Sequence, residues 1–166
     1  MEIVRTIIEI PQGSQNKYEY DNKTGAIRLD RVLYGAMHYP VNYGFIVDTW
    51  GEDDDPLDIL VFGSTALLPG IEVAARIVGA LWMQDEHGID HKILGVVDTD
   101  PRYRQVKRYD DLGPHRLHEI QHFFEQYKTL QGITTHVGNF QDARVATMLI
   151  QDSQKRFHLK NSTGGE

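Results

Sequence analysis

The apolar positions of this chain fall first in short β-branched runs and only later at helical spacing. Residues 2–10 carry Ile3, Val4, Ile7, Ile8 and Ile10 and are closed by Pro11-Gln12-Gly13-Ser14, which predicts a strand with Glu9 as its odd, polar member. Residues 17–21 alternate charged and aromatic side chains, and Asn22-Lys23-Thr24-Gly25 turns them into residues 26–32. This predicts a hairpin with Tyr18 and Tyr20 on one face and Lys17, Glu19 and Asp21 on the other. Residues 37–46 are aromatic-rich and broken by Pro40 and Gly44, and their tyrosines suit either a half-buried core or hydroxyl donors to a polar ligand. Residues 57–63 and 93–97 read as strands, and the nearly continuous apolar run 71–83 suits a long strand buried on both faces or bent at Gly79.

The period then changes. Gly113-Pro114 opens a helix, and Leu117, Ile120, Phe123, Phe124, Tyr127 and Leu130 lie on one arc that packs on a sheet or barrel. His115, His118 and His122 lie on the opposite side, where the i, i+4 pair suits a metal or a subunit contact. Gly132 ends this segment, 133–137 suits a short strand, and Asn139 is expected to cap a second helix containing Ala143, Ala146, Ile150 and Phe157. Residues 1–160 are expected to form one domain, with 161–166 as a disordered tail.

Composition narrows the function. Apolar residues at 40% of 166 support a real core, while a net charge of −7 disfavours a nucleic-acid partner without forbidding a small anion at a local basic cluster. The absence of cysteine excludes disulfides, thiolate catalysis and cysteine zinc sites. Met1-Glu2-Ile3-Val4-Arg5 lacks the layout of a signal peptide, and no apolar run reaches membrane-spanning length, so a soluble cytoplasmic protein is expected.

The stretch with most chemistry is Asp53-Asp54-Asp55-Pro56-Leu57-Asp58-Ile59. In extended backbone Asp53 and Asp55 share a face, and Pro56 fixes a bend before Asp58, so three carboxylates can converge. Such carboxylates repel one another unless a cation lies between them, and hard dications with oxygen ligands answer that need. An ordinary acidic surface turn fits the same residues. An EF-hand does not, because Asp58 replaces the mid-loop glycine and Ser64 the bidentate glutamate. A second acidic turn, Asp85-Glu86-His87-Gly88-Ile89-Asp90-His91-Lys92, repeats the strand–turn–strand arrangement, and Tyr127 with Lys128 can reach the same cleft from the helix end.

Together with Lys17-Tyr18-Glu19, Asp30-Arg31, Tyr39-Pro40-Val41-Asn42-Tyr43-Gly44 and His122-Phe123-Phe124-Glu125-Gln126-Tyr127-Lys128, these stretches resemble the family I soluble inorganic pyrophosphatases of bacterial type, in order and approximate spacing. The resemblance implies a mainly β, α+β fold: a five-stranded OB-type closed barrel with two helices packed outside. It implies hydrolysis of pyrophosphate to two phosphates by a metal-activated water, with several Mg²⁺ ions per site and Mn²⁺ as an alternative. By resemblance, Asp53, Asp58 and Asp90 bind the first metal and Asp58 also reaches a second, Asp85 and Asp90 with Glu86 hold a further ion, and Glu19 contacts another. Asp55 takes the proton of the attacking water, Lys17, Arg31, Tyr43, Lys92, Tyr127 and Lys128 hold the phosphates, and Glu9 and Tyr39 support them. A homo-oligomer, favouring a hexamer, and no nucleic-acid or membrane partner are also implied. Ile133-Thr134-Thr135 departs from the family pattern at one peripheral phosphate contact. A single-stranded nucleic-acid module on the same barrel leaves the clustered aspartates unexplained, whereas a hydrolase of another phosphoanhydride would share them.

Overall fold

The computed structural model describes residues 1–163. In chain order its strands are β1 (Ile3–Ile10), β2 (Asn16–Tyr20), β3 (Ile27–Val32), β4 (Asn42–Ile46), β5 (Asp58–Phe62), β6 (Glu72–Asp85), β7 (Gly88–Ile89), β8 (Lys92–Val97) and β9 (His136–Gln141). The helices are α1 (Pro114–Gln126) and α2 (Ala143–Thr163). The isoleucine run of β1 alternates outward and buried positions, as a strand with one face on the core must.

Pairing runs β1–β4–β5–β8–β6, and β6 pairs back with β1, so five strands close a barrel. Within it β5 and β8 are parallel and the other pairs antiparallel. Closure leaves these strands no open edge. The 14-residue β6 can serve β1, β8 and β9 because its register shifts between Ile77 and Gly79 and again between Leu81 and Met83. A Cβ at Gly79 would lie 2.6 Å from the Gln141 carbonyl oxygen, so the close approach of β9 needs glycine there. The hairpin of β2 and β3 forms as expected but stands as a separate two-stranded sheet.

Alternate residues of β5 feed two apolar clusters. Leu60 and Phe62 join Tyr39, Tyr43 and the α1 residues Ile120, Phe123 and Phe124, whereas Ile59 and Val61 join Ile8, Ile77 and the α2 residues Ala146 and Ile150. A strand covered on both sides reads as an uninterrupted apolar run. Phe124, at 1% exposure, contributes about 1.5–3 kcal/mol by its burial alone.

Three local expectations are corrected. Leu130 is not on the apolar arc: α1 ends at Gln126, and a separate turn, Thr129–Gln131, leaves Leu130 70% exposed. Strand β9 begins at His136 because Thr135 is tied back to α1, its hydroxyl donating to the Phe124 carbonyl. Asn139 is consequently a strand residue, and α2 is capped by Asp142, whose Oδ1 accepts from the Arg144 and Val145 amides at 2.9 and 3.1 Å. Helix α2 continues through Thr163, and the rest of the tail expected at 161–166 lies outside the described residues. No helix among the described residues is long and apolar enough to cross a membrane.

Candidate active site

Strands β4, β5 and β8 bring their polar residues to one end of the barrel. Asp58 opens β5 and Lys92 opens its parallel neighbour β8, so the register that pairs Ile59 with Ile93 sets the two side by side. Lys92 is 2% exposed, and its Nζ donates to Asp58 at 2.5 Å, to Asp90 at 2.6 Å and to the Tyr43 hydroxyl at 3.1 Å. The Tyr43 hydroxyl in turn donates to Asp58 at 2.6 Å. Burial alone would drive the ammonium to neutrality, but Asp58 and Asp90 outweigh it and hold Lys92 well above its ordinary pKa. Burial lifts the Tyr43 hydroxyl, and Asp58 beside it adds to the effect, so it stays a neutral donor.

Lysine and arginine side chains approach from three further elements. Lys128, just past α1, donates to Asp85 at 3.1 Å and to Glu86 at 3.1 and 3.2 Å. On the hairpin, Lys17 donates to Glu19 at 2.8 Å and lies 3.3 Å from Asp30, which also accepts from Arg31 at 2.8 Å. Asp30 was not among the expected site residues; it lines neither the cleft nor the recess but ties Lys17 to Arg31, which the hairpin register sets opposite each other. Tyr127 is buried, and Tyr39 packs its ring 5.5 Å from Tyr43 and 4.8 Å from Phe123.

A cleft of about 280 Å³ gathers these groups. Asp53, Asp55, Asp58, Asp85, Glu86 and Asp90 line it, and so do Lys17, Glu19, Arg31, Tyr43, Lys92, Tyr127 and Lys128. A recess of about 250 Å³ shares Lys17, Glu19, Tyr43, Asp53, Asp55 and Asp58 with it and adds Glu9. Thus Asp53 and Asp58 of one acidic turn and Asp85 and Asp90 of the other line one cleft. Of the expected site residues only Glu9 and Tyr39 do not line the larger cleft: Glu9 borders the recess, and Tyr39 lies beneath in the core. The exposed His115, His118 and His122 are not part of it.

The carboxylates feel this crowding. Burial raises Asp53, with Asp58 adding to it, and burial raises Asp55, with Asp53 and Asp58 adding. Burial carries Asp90 up to about 6 against the pull of Lys92. Asp85 moves the other way: burial opposes ionisation, but the His87 amide and Lys128 together outweigh it. The Asp55 carboxylate makes no hydrogen bond or ion pair among the described residues.

No three carboxylate or imidazole groups among the described residues are placed closely enough to enclose a cation. Ammonium groups stand between them instead, Lys92 between Asp58 and Asp90 and Lys128 between Asp85 and Glu86. The donor set nevertheless fits hard dications: it is all oxygen, and burial with mutual repulsion already disfavours joint ionisation of Asp53, Asp55 and Asp90.

A family model described as inorganic pyrophosphatase matches residues 6–158. The chain belongs to the inorganic pyrophosphatase family. It is 46% identical over 156 residues to the inorganic pyrophosphatase of Geobacillus stearothermophilus, covering 94% of each chain. The fold superposes on the crystal structure of the Thermus thermophilus inorganic pyrophosphatase with a TM-score of 0.91 and 46% identity, covering 95% of this chain and 92% of that one. The inorganic pyrophosphatase of Helicobacter pylori gives 0.92 and 41% identity, with 95% and 94% covered. The expected five-stranded closed barrel with two helices outside is thus the architecture shared with solved inorganic pyrophosphatases.

Proposed function

We propose that this protein hydrolyses inorganic pyrophosphate to two orthophosphates, using Mg²⁺ held in the cleft, with Mn²⁺ able to replace it. The observation that carries this is the meeting of two acidic turns with Lys17, Arg31, Lys92 and Lys128 around one cleft, the charge pattern that a polyanion accompanied by dications requires. Asp53, Asp58 and Asp90 would hold the first ion, Asp85, Asp90 and Glu86 a further one, and Glu19 another. Bound there, the ions would neutralise substrate charge and acidify a water molecule. Asp55, unpaired among the described residues and with its pKa raised, takes a proton from the attacking water at a carboxylate oxygen. Lys17, Arg31, Lys92 and Lys128 orient the phosphates and stabilise charge on the departing one, while the Tyr43 and Tyr127 hydroxyls fix its direction. Phosphate hydrolyses are among the slowest uncatalysed reactions, so together these groups must supply more than about 15 kcal/mol.

Residues 1–160 act as one unit in this reading, in the cytoplasm and as a homo-oligomer, a hexamer by preference, with the outward histidines of α1 suited to a subunit contact. The acidity of the cleft and the net charge of −7 argue against nucleic acid as partner. The test is phosphate release from pyrophosphate, tripolyphosphate and ATP, each with Mg²⁺ and with EDTA. Release from pyrophosphate that stops in EDTA is expected; preference for ATP would replace the substrate.

A further inference from the structure

The loop that carries Asp53 and Asp55 is held from behind. Between it and α2 lies a cavity of about 120 Å³, with Asp53, Asp58 and Asp90 on one side and Leu149, Ser153 and Arg156 on the other. Side-chain packing therefore does not back the loop there. Hydrogen bonds from α2 do: the Ser153 carbonyl accepts from the Trp50 amide at 3.0 Å, and Arg156 Nε donates to the Trp50 carbonyl at 2.9 Å. Arg156 Nη2 also donates to Ser153 Oγ at 3.1 Å, and Nη1 lies 3.8 Å from Glu52. Lys160, one turn further on, places its Nζ 3.2 Å from the centre of the Trp50 ring.

From Trp50 the constraint passes directly to the aspartates. The Trp50 indole donates to Asp54 at 3.2 Å, and the Gly51 amide to the Asp55 carbonyl at 2.7 Å. The Asp55 amide donates to Asp53 Oδ1 at 3.4 Å. The turn is tight: Asp54 adopts φ 64°, a left-handed value that aspartate tolerates better than most residues, and a Cβ on Gly51 would lie 2.5 Å from Asp53 Oδ1.

We infer that Arg156 is a positioning residue: together with Ser153 it makes α2 a strut that sets where the Asp53 and Asp55 carboxylates stand, and through them the affinity of the cleft for dications and the rate of hydrolysis. This rests on the proposed function: the rate arm on pyrophosphate hydrolysis, the binding arm on dications held at Asp53, Asp58 and Asp90. Lys17, Arg31, Lys92 and Lys128 sit on other elements, so the strut bears on metal and base rather than on phosphate holding.

The experiment compares Arg156→Met, Arg156→Lys and Arg144→Gln. Arg144 lies at the other end of α2, pairs among the described residues only with Asp142 and is 91% exposed, so its variant controls for helix stability. Mn²⁺ binding is read by electron paramagnetic resonance without substrate, turnover by phosphate release, and stability by thermal melting in EDTA. Arg156→Met is expected to weaken Mn²⁺ binding and lower kcat by about tenfold each. KM for pyrophosphate should stay within about twofold of wild type. Arg156→Lys recovers part of both losses, because its ammonium can still donate to the Trp50 carbonyl, and Arg144→Gln matches wild type. Wild-type Mn²⁺ binding in a folded Arg156→Met overturns the inference, as does an equal loss in Arg144→Gln. If Arg156→Met does not fold, Arg156→Lys decides: undiminished Mn²⁺ affinity there overturns it. Absence of pyrophosphate hydrolysis in the wild type would instead remove the proposed activity, leaving the Mn²⁺ titration to judge the strut.

Discussion

Glu9 is a half-buried acid whose charge the fold opposes, and Glu9→Gln isolates that cost. Glu9 stands on β1 where the pairing with β4 slips between Ile8 and Ile10, and its Oε1 accepts from the Tyr20 amide at 2.8 Å. Burial pushes its carboxyl up to about 7, partly offset by that amide, from an ordinary 4.5. Because the folded pKa lies above the unfolded one, the fold favours the protonated form. Its contribution is complete below about 4.5 and is lost as the pH rises through about 7. At about 1.4 kcal/mol per tenfold in affinity for the proton, the full loss by pH 8 is at most roughly 3 kcal/mol. Glutamine keeps an acceptor for the Tyr20 amide but carries no charge. Urea unfolding in EDTA should therefore find Glu9→Gln close to wild type at pH 4.5 and more stable by about 2–3 kcal/mol at pH 8. The difference should grow mainly between pH 5 and pH 8. A pH-independent difference, or a variant less stable than wild type at pH 8, would refute the reasoning.

Two further outcomes are expected. Asp55→Asn should lower phosphate release from pyrophosphate by at least about 100-fold while leaving Mn²⁺ affinity largely intact, and near-normal turnover would remove Asp55 as the base. Lys92→Met should cost about 3 kcal/mol in EDTA, because Asp58 and Asp90 lose the buried ammonium between them. Added Mg²⁺ should return much of that stability; unchanged unfolding in EDTA would show that Lys92 does not hold the two carboxylates together.

Much of this protein was legible in the order of its residues. The β-branched runs, the hairpin, the long bent strand at Gly79 and the apolar arc of α1 follow from periodicity and turn chemistry, which are local. The acidic turns announced themselves because repeated aspartates at strand ends resist burial without counter-charge. Local pattern misled where a tertiary tie took precedence: Thr135 bonding back to α1 moved β9, and with it the cap of α2 passed from Asn139 to Asp142. Barrel closure, with β5 beside β8 and β6 returning to β1, decided that Asp58 and Lys92 lie side by side. The bond between Arg156 and Trp50 crosses 106 residues, and neither residue carries a local signal of the other. Sequence separation hides such contacts because spacing along a chain reports only on neighbours within an element, whereas charge pairing and loop support depend on which elements the closed sheet brings together.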